Sequence, residues 1–329
     1  MREQRDDAPA PGTREIPTST VQVMAAEELV VEARVARAIV ERALGGDPGP
    51  LTRAESTSPS QVFVGPDVVV KIIHADGHRR LNREIALASM IPAGITAPLL
   101  ASGEHEDLRY ACFTRMPGAS PGLHLPNTDA ATARKLAWQA VERLERLHTW
   151  QPDSTDTLTE ELPHGGFTGR EAFQRDIERL EHADQERVVP AHLINGLREI
   201  AERAPDRVEA AVPVHGDCDW ENWLVHGDTV TALLDFEWAR LAEPTDDWFF
   251  LVRWSGPHMA AVLDVVTEYT GIPEDELRAA CEVREANYVI SDVRLGLEGR
   301  NAGVGNIADL TKLIDGRYWW SGRGNAGTG

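Results

Sequence analysis

The run VVVKII, residues 68–73, sets a single ammonium in the middle of an apolar strand pattern. An unpaired charge there is strongly unfavourable, so any fold open to this chain must bring an anion or a carboxylate to Lys71. The demand is conspicuous because only three of the 33 basic residues are lysine: Lys71, Lys135 and Lys312. Glu84, within NREIALASM, is the nearest helix-borne carboxylate.

The pattern around Lys71 predicts a small α+β lobe. In ESTSPSQVFVGPDVVVKIIH, residues 55–74, runs of Val, Phe and Ile flank Gly65-Pro66-Asp67, the mark of a β-hairpin with a polar loop before it. GHRRLNREIALASMIP has helical periodicity and ends at Pro92, and ITAPLLASGEHEDLRYACFTRMPG returns to strand patterns before Pro117-Gly118. Upstream, residues 1–19 read as a disordered leader, and a helix is expected from Thr20 to Gly45-Gly46. The expected organisation is an N-terminal lobe over 20–117, a second lobe over 118–320 and a flexible tail over 321–329.

Beyond the Pro-Gly the chain turns mostly helical. Asp129 is the expected N-cap of a helix with Leu136, Val141, Leu144 and Leu147 on one face. Residues 151–163 are acidic and irregular, and helices are expected over 169–183 and 190–204. VPVHGDCDWENWLVHGDTVTALLDFEWARL then alternates apolar strands with polar turns, with His226-Gly227-Asp228 at a hairpin tip.

Asp217 and Asn222 share the loop after AAVPV, and Asp235 ends the strand TALLD. A hairpin between them returns Asp235 to that loop. Two carboxylates and an amide oxygen converging from loop ends suit Mg²⁺, which takes hard oxygen ligands and leaves room for water and phosphate. Zinc is disfavoured, because His215 and His226 lie eleven apart and no second thiol stands at ligand spacing. A strand lysine held by a helix glutamate, with Asp and Asn on metal, is an arrangement used in phosphoryl transfer.

HGDCDWEN resembles the HGDxxxxN loop of the aminoglycoside phosphotransferase family, and LLDFEWARLAEPTDDWFFL resembles that family's second acidic segment. ESTSPSQVFVG is similar to the nucleotide loop of the hygromycin B kinases within it. The resemblance covers roughly residues 50–255 and implies an α+β, bilobal protein-kinase-like fold, with a small β-rich N-lobe and a larger, mostly helical C-lobe. It implies Asp217 as catalytic base, Asn222 and Asp235 as Mg²⁺ ligands, and Lys71, oriented by Glu84, on the phosphates of ATP, with GTP as the alternative. Phe113, Thr114 and Met116 in CFTRMPG would form the adenine hinge, and Ser56, Thr57, Ser58 and Ser60 would cover the phosphates. His215 and Asp247 are expected as structural support for the catalytic loop. Asp219, Glu221 and Glu237 are candidates to face substrate, with water as the alternative for Asp219 and Glu221, and Trp220 either stacks on a substrate ring or, as is commoner for an aromatic near a loop end, lies in the core.

A formal net charge of −20 argues against nucleic acid and anionic membranes as partners and is compatible with a cationic small molecule. Three dispersed cysteines and the absence of a signal-like or membrane-spanning run point to a soluble cytoplasmic protein, monomer or homodimer. The leading expectation is therefore a kinase that phosphorylates a hydroxyl of an antibiotic-like molecule, most simply an aminoglycoside, conferring resistance. A metabolic kinase acting on choline, a sugar or an amino alcohol is the alternative. A pseudokinase is disfavoured because Lys71, Asp217, Asn222 and Asp235 are all present.

Overall fold

The computed structural model describes residues 33–54, 60–75, 80–125, 128–162, 166–208, 211–298 and 307–320. The expected leader, the tail over 321–329, the start of the helix predicted from Thr20, and Ser56, Thr57 and Ser58 lie outside the described residues. The N-terminal part is a five-stranded antiparallel sheet in the order β1-β2-β3-β5-β4. Its strands are β1 (Thr52–Arg53), β2 (Gln61–Val64), β3 (Val68–His74), β4 (Leu99–His105) and β5 (Leu108–Thr114). The short β1, which pairs with the end of β2, is not apparent from the sequence pattern.

Strand alternation decides where Lys71 points. Val68, Val70 and Ile72 are buried on one face, against Phe63 and the apolar stripe Ala36, Ile39, Val40 of α1 (Ala33–Leu44). Val69 and Lys71 therefore face the other way, into a cleft they line with Val62. Helix α2 (Arg80–Ala88) packs Leu81 beside Ile73, Ala111 and Phe113 and carries Glu84 to the same side.

The C-terminal part is helical. Helix α3 (Ala130–His148) starts at the expected N-cap, where Asp129 Oδ1 accepts from the Thr132 N–H at 2.9 Å and satisfies a donor left free at the helix start. Its buried stripe, including Leu136, Val141, Leu144 and Leu147, enters the main core. The stretch 151–163 contains one turn, α4 (Asp156–Thr159), where the sequence suggests none; Leu158 is buried and anchors it. Helices α5 (Arg170–Ala183) and α6 (Ala191–Arg203) match the expected spans within a residue, followed by α7 (Thr245–Arg253), α8 (Met259–Thr270), α9 (Glu274–Leu297) and α10 (Ile307–Ile314). Among the described residues, no helix is long and apolar enough to cross a membrane.

Two small two-stranded sheets present the loops of interest. β6 (Val212–Val214) pairs with β9 (Arg240–Ala242), and β7 (Trp223–His226) pairs with β8 (Thr229–Leu233) around the His226-Gly227-Asp228 tip. The hinge meets this second hairpin directly. Ala119 bridges Val225, and Gly118 has φ +106°; a Cβ there would lie 2.4 Å from the Val225 carbonyl oxygen.

Candidate active site

Lys71 Nζ reaches both oxygens of Glu84, at 2.9 and 2.8 Å, and lies 3.2 Å from Asp235 Oδ1. Burial opposes its charge, but the Glu84 and Asp235 carboxylates outweigh that penalty and hold the lysine above its ordinary pKa. The sequence demand for an anion at Lys71 is met by the expected partner. Arg80 and Arg83 do not pair with Glu84.

Those two arginines fasten α2 to the other lobe. Arg83 is buried and donates from Nε and Nη2 to the Ala239 carbonyl, at 2.9 and 2.6 Å. Arg80 pairs with Glu237 at 2.7 Å and lies over the Trp238 ring, 5.0 Å from its centroid. The helix that bears Glu84 is thus tied to the segment just after Asp235.

The loop 215–222 is built around Asp247. This fully buried carboxylate accepts from the backbone N–H groups of His215 and Gly216, at 2.9 and 2.8 Å, and from His148 Nε2 at 2.9 Å. Burial alone would raise its pKa; the His148 hydrogen bond and its neighbours hold it below the usual carboxylate range. His215 is buried and kept neutral by that burial. Its Nε2 donates to the Leu234 carbonyl at 2.8 Å, leaving Nδ1 to accept from the Asp217 N–H at 3.2 Å. Gly216 is required here: φ is +76°, and a Cβ would lie 2.2 Å from Arg240 Nη1.

Asp217 is half-buried at the cleft. Asn222 Nδ2 donates to the Asp217 carbonyl at 2.7 Å, which turns its side-chain oxygen away from that bond. The Leu234 N–H donates to the Asn222 carbonyl at 2.8 Å, so the β7–β8 hairpin brings Asp235 back to the loop as the sequence suggests. Asp235 has φ +64°, a left-handed conformation that is uncommon and strained for a residue with a side chain. Its Oδ1 is buried and, although near Lys71, makes no hydrogen bond of acceptable geometry.

The acids around this loop are crowded. Burial, then Asp219, Asp235 and Glu237, push Asp217 well above the ordinary aspartate value. Burial raises Asp219 to about 6, and burial followed by Asp235 raises Glu237 to about 7 despite Arg80. A region that resists ionisation to this degree is a region that favours added cations.

Trp220 takes the core alternative. It is fully buried, its indole N–H donates to Ser255 Oγ at 2.8 Å, and its ring packs beside Trp223, so it faces the core and no substrate. Glu221 is exposed, and Asp219 accepts from the Glu221 N–H at 2.8 Å as the cap of the 3-10 turn Trp220–Asn222. Ser60 is buried at the start of β2. Phe113, Thr114 and Met116 line, with Lys71, Glu84, Leu224 and Leu234, a mostly apolar cavity of about 240 Å³ between the sheet and the β7–β8 hairpin. The Thr114 N–H is taken by the Pro98 carbonyl and the Arg115 N–H by Asp67. Sequence reasoning missed the wall contributed by α9, whose Asn287, Tyr288, Ser291 and Asp292 border a second cavity with Asp217.

Comparison with known proteins identifies the family and the fold. Residues 51–281 match the phosphotransferase enzyme family (APH). The fold is similar to that of ADP-bound aminoglycoside phosphotransferase APH(2'')-Ib, with TM-score 0.63 and 17% identity over 86% of this chain and 97% of that one. It is also similar to a thermostable mutant of aminoglycoside phosphotransferase APH(4)-Ia in ternary complex with ADP and hygromycin B (TM-score 0.60, 17% identity, 89% and 99% covered). A third similar structure is the macrolide 2'-phosphotransferase MphH from Brachybacterium faecium (TM-score 0.63, 18% identity, 86% and 97% covered). No curated protein sequence matches the chain significantly.

Proposed function

Because the chain belongs to the phosphotransferase enzyme family, and is therefore a small-molecule phosphotransferase, we infer that it moves the γ-phosphoryl group of ATP to a hydroxyl of an antibiotic-like acceptor. The observation that carries this reading is the convergence of the Lys71–Glu84 pair, Asp235 and the Asp217–Asn222 loop on one cleft. In this reading residues 20–117 form the nucleotide lobe and 118–320 the catalytic and substrate lobe. Lys71, held charged and oriented by Glu84, contacts the phosphates; Phe113, Thr114 and Met116 hold the base, with GTP as the alternative nucleotide.

Asn222 and Asp235 fit a hard divalent cation such as Mg²⁺. Asp235 Oδ1 has no hydrogen bond, and Asn222 has its amide nitrogen engaged and its oxygen left over. Among the described residues no group of three or more His, Cys, Asp or Glu side chains could hold a metal unaided. Mg²⁺ takes one or two protein carboxylates and completes its shell with phosphate and water. When bound it would neutralise phosphate charge.

Asp217 acts on the acceptor. Its raised pKa makes the carboxylate a stronger base than an exposed aspartate, able to accept or orient the proton of the attacking hydroxyl. The remaining acceleration comes from aligning that hydroxyl with the phosphoryl group. Inactivation of an antibiotic in the cytoplasm, with resistance as its outcome, is the role proposed, and an aminoglycoside is the acceptor that the sequence resemblance favours.

The test is incubation with ATP and Mg²⁺ against a mixed panel of antibiotics, choline and sugars, read by mass spectrometry for an added phosphoryl group. Transfer to an antibiotic supports the reading, transfer to choline or a simple metabolite alone overturns the resistance role, and no transfer to anything overturns phosphotransfer. Lys71→Met is expected to raise the KM for ATP at least ~10-fold, in line with the loss of a charge-assisted phosphate contact.

A further inference from the structure

The cavity of about 230 Å³ that Asp217 shares with α9 is walled by parts of the chain far apart in sequence, from Phe167 through Gly216 and Trp238 to Tyr288. In-line transfer needs an acceptor held by those walls to meet Asp217 in one geometry. The position of α9 relative to the 215–222 loop is therefore part of the chemistry.

Two adjacent aspartates at the start of α7 divide the task of fixing it. Asp247 holds the loop directly, through the His215 and Gly216 N–H groups. Asp246 is also buried and makes the link to α9: one oxygen accepts from Arg240 Nη2 at 2.8 Å, the other from Arg284 Nε at 3.4 Å. Arg284 stands one helical turn before Asn287 and Tyr288 and two before Ser291, so the residue that is tied down shares a face with those that line the cavity.

Arg240 closes the connection on the loop side. The pairing of β6 with β9 sets it opposite Val214, the residue that leads into His215. Its Nη1 lies 3.5 Å from the Gly216 carbonyl oxygen and 3.3 Å from that of Trp238. A planar guanidinium can meet a carboxylate with one nitrogen and backbone carbonyls with another; an ammonium supplies the charge without the fork. Arg284 also pairs with Glu243, so two cations balance two carboxylates, and Arg240, Asp246 and Arg284 are each more than nine-tenths buried. Buried charges of this kind tolerate little displacement, because a lost partner leaves the other uncompensated.

We propose that Arg240 is a positioning residue for phosphoryl transfer: through Asp246 and Arg284 it fixes the α9 wall of the acceptor cavity against the Gly216–Asp217 backbone. The proposal rests on the phosphotransfer reading and adds to it the device that aligns the acceptor. It is the counterpart, on the acceptor side, of the α2 arginines that secure the Lys71–Glu84 pair on the nucleotide side.

The experiment compares the full-length wild type with Arg240→Gln, which removes the charge, and Arg240→Lys, which keeps it without the fork. Hydrogen exchange read by mass spectrometry comes first. In Arg240→Lys, peptides over 212–219 and 280–292 should exchange at least ~10-fold faster while those over 68–74 keep the wild-type rate, as when a local restraint is lost. Turnover of ATP with gentamicin and hygromycin B comes second. In both variants kcat should fall at least ~10-fold with the KM for ATP within about twofold, the split expected when alignment alone is lost. The urea midpoint of Arg240→Lys should lie above that of Arg240→Gln, because charge balance is restored, yet kcat should stay low. Exchange that is unchanged or raised equally throughout the chain, or a kcat that recovers together with the midpoint in Arg240→Lys, overturns the proposal. If Arg240→Gln does not fold, the exchange pattern and the kcat–KM split of Arg240→Lys decide alone. Failure of the phosphotransfer reading shows separately in the wild type, as no calorimetric binding of ATP and no transfer to either antibiotic, to choline or to a sugar.

Discussion

The tripeptide His-Gly-Asp occurs at 215–217 and again at 226–228, and the fold treats the two copies in opposite ways. In the first, Gly216 is pressed against the Arg240 guanidinium and Asp217 is crowded by other acids. In the second, at the β7–β8 tip, a Cβ on Gly227 would meet nothing within 4 Å, and the Lys135 ion pair holds the exposed Asp228 below the usual carboxylate range. Identical residues thus acquire a raised or a lowered proton affinity according to what the distant chain brings to them. Asp247 and Asp235 make the first copy a candidate site; Lys135 makes the second a surface turn.

The sharpest way to break this comparison is to remove each carboxylate. Asp217→Asn should lower kcat at least ~100-fold, as loss of a general base does, while ATP binding stays near normal. Asp228→Asn should leave kcat within about twofold, since exposed ion pairs contribute little. Equal turnover by the two variants in a coupled ADP assay would remove the base assignment.

A smaller effect is expected at the glycines. Gly216→Ala adds both left-handed strain and a clash with Arg240, and should lose at least about 2 kcal/mol in urea unfolding. Gly227→Ala carries the strain alone, φ +63° with open space around it, and should lose about 1 kcal/mol. If both lose the same, the packing of Gly216 against Arg240 is not what fixes the loop.

The smallest effect is in the pH dependence. Asp219 titrates at about 6 in the folded chain, above the roughly 3.9 of an unfolded aspartate. The unfavourable ionisation is therefore absent below the unfolded value and complete above the folded one, so stability falls as pH rises through that window. Asp219→Asn should gain about 1 kcal/mol on the wild type between pH 4.5 and 7.5, after discounting for partial exposure. Asp228→Asn should instead differ from the wild type by a small constant loss over that range, because a lowered pKa contributes stability that is fully present above the unfolded value and lost only in stronger acid. Parallel urea midpoints for the two variants across that range would contradict the assigned environments.

Much of this was legible where local pattern carries the information. The lone ammonium in VVVKII demands a carboxylate and meets Glu84, the polar His226-Gly227-Asp228 between apolar runs marks the hairpin tip, and Asp129 caps its helix as read. The misses share a physical cause, that long-range partners leave no local trace. Nothing near Trp220 says that Ser255 waits for its indole N–H. Nothing in NREIALASM says that Arg83 reaches the Ala239 carbonyl, 156 residues on. Helix α9 reads simply as another helix, yet it walls the cavity beside Asp217.

The arginine fastening of α2 bears on how such an enzyme is governed. In protein kinases the helix that carries the partner of the strand lysine is repositioned by activation-loop phosphorylation, so the ion pair works as a switch. Here Arg80 and Arg83 bolt that helix to the segment behind Asp235, which makes the Lys71–Glu84 pair a fixed fitting. Such a fastening would keep the ion pair assembled without an activating step.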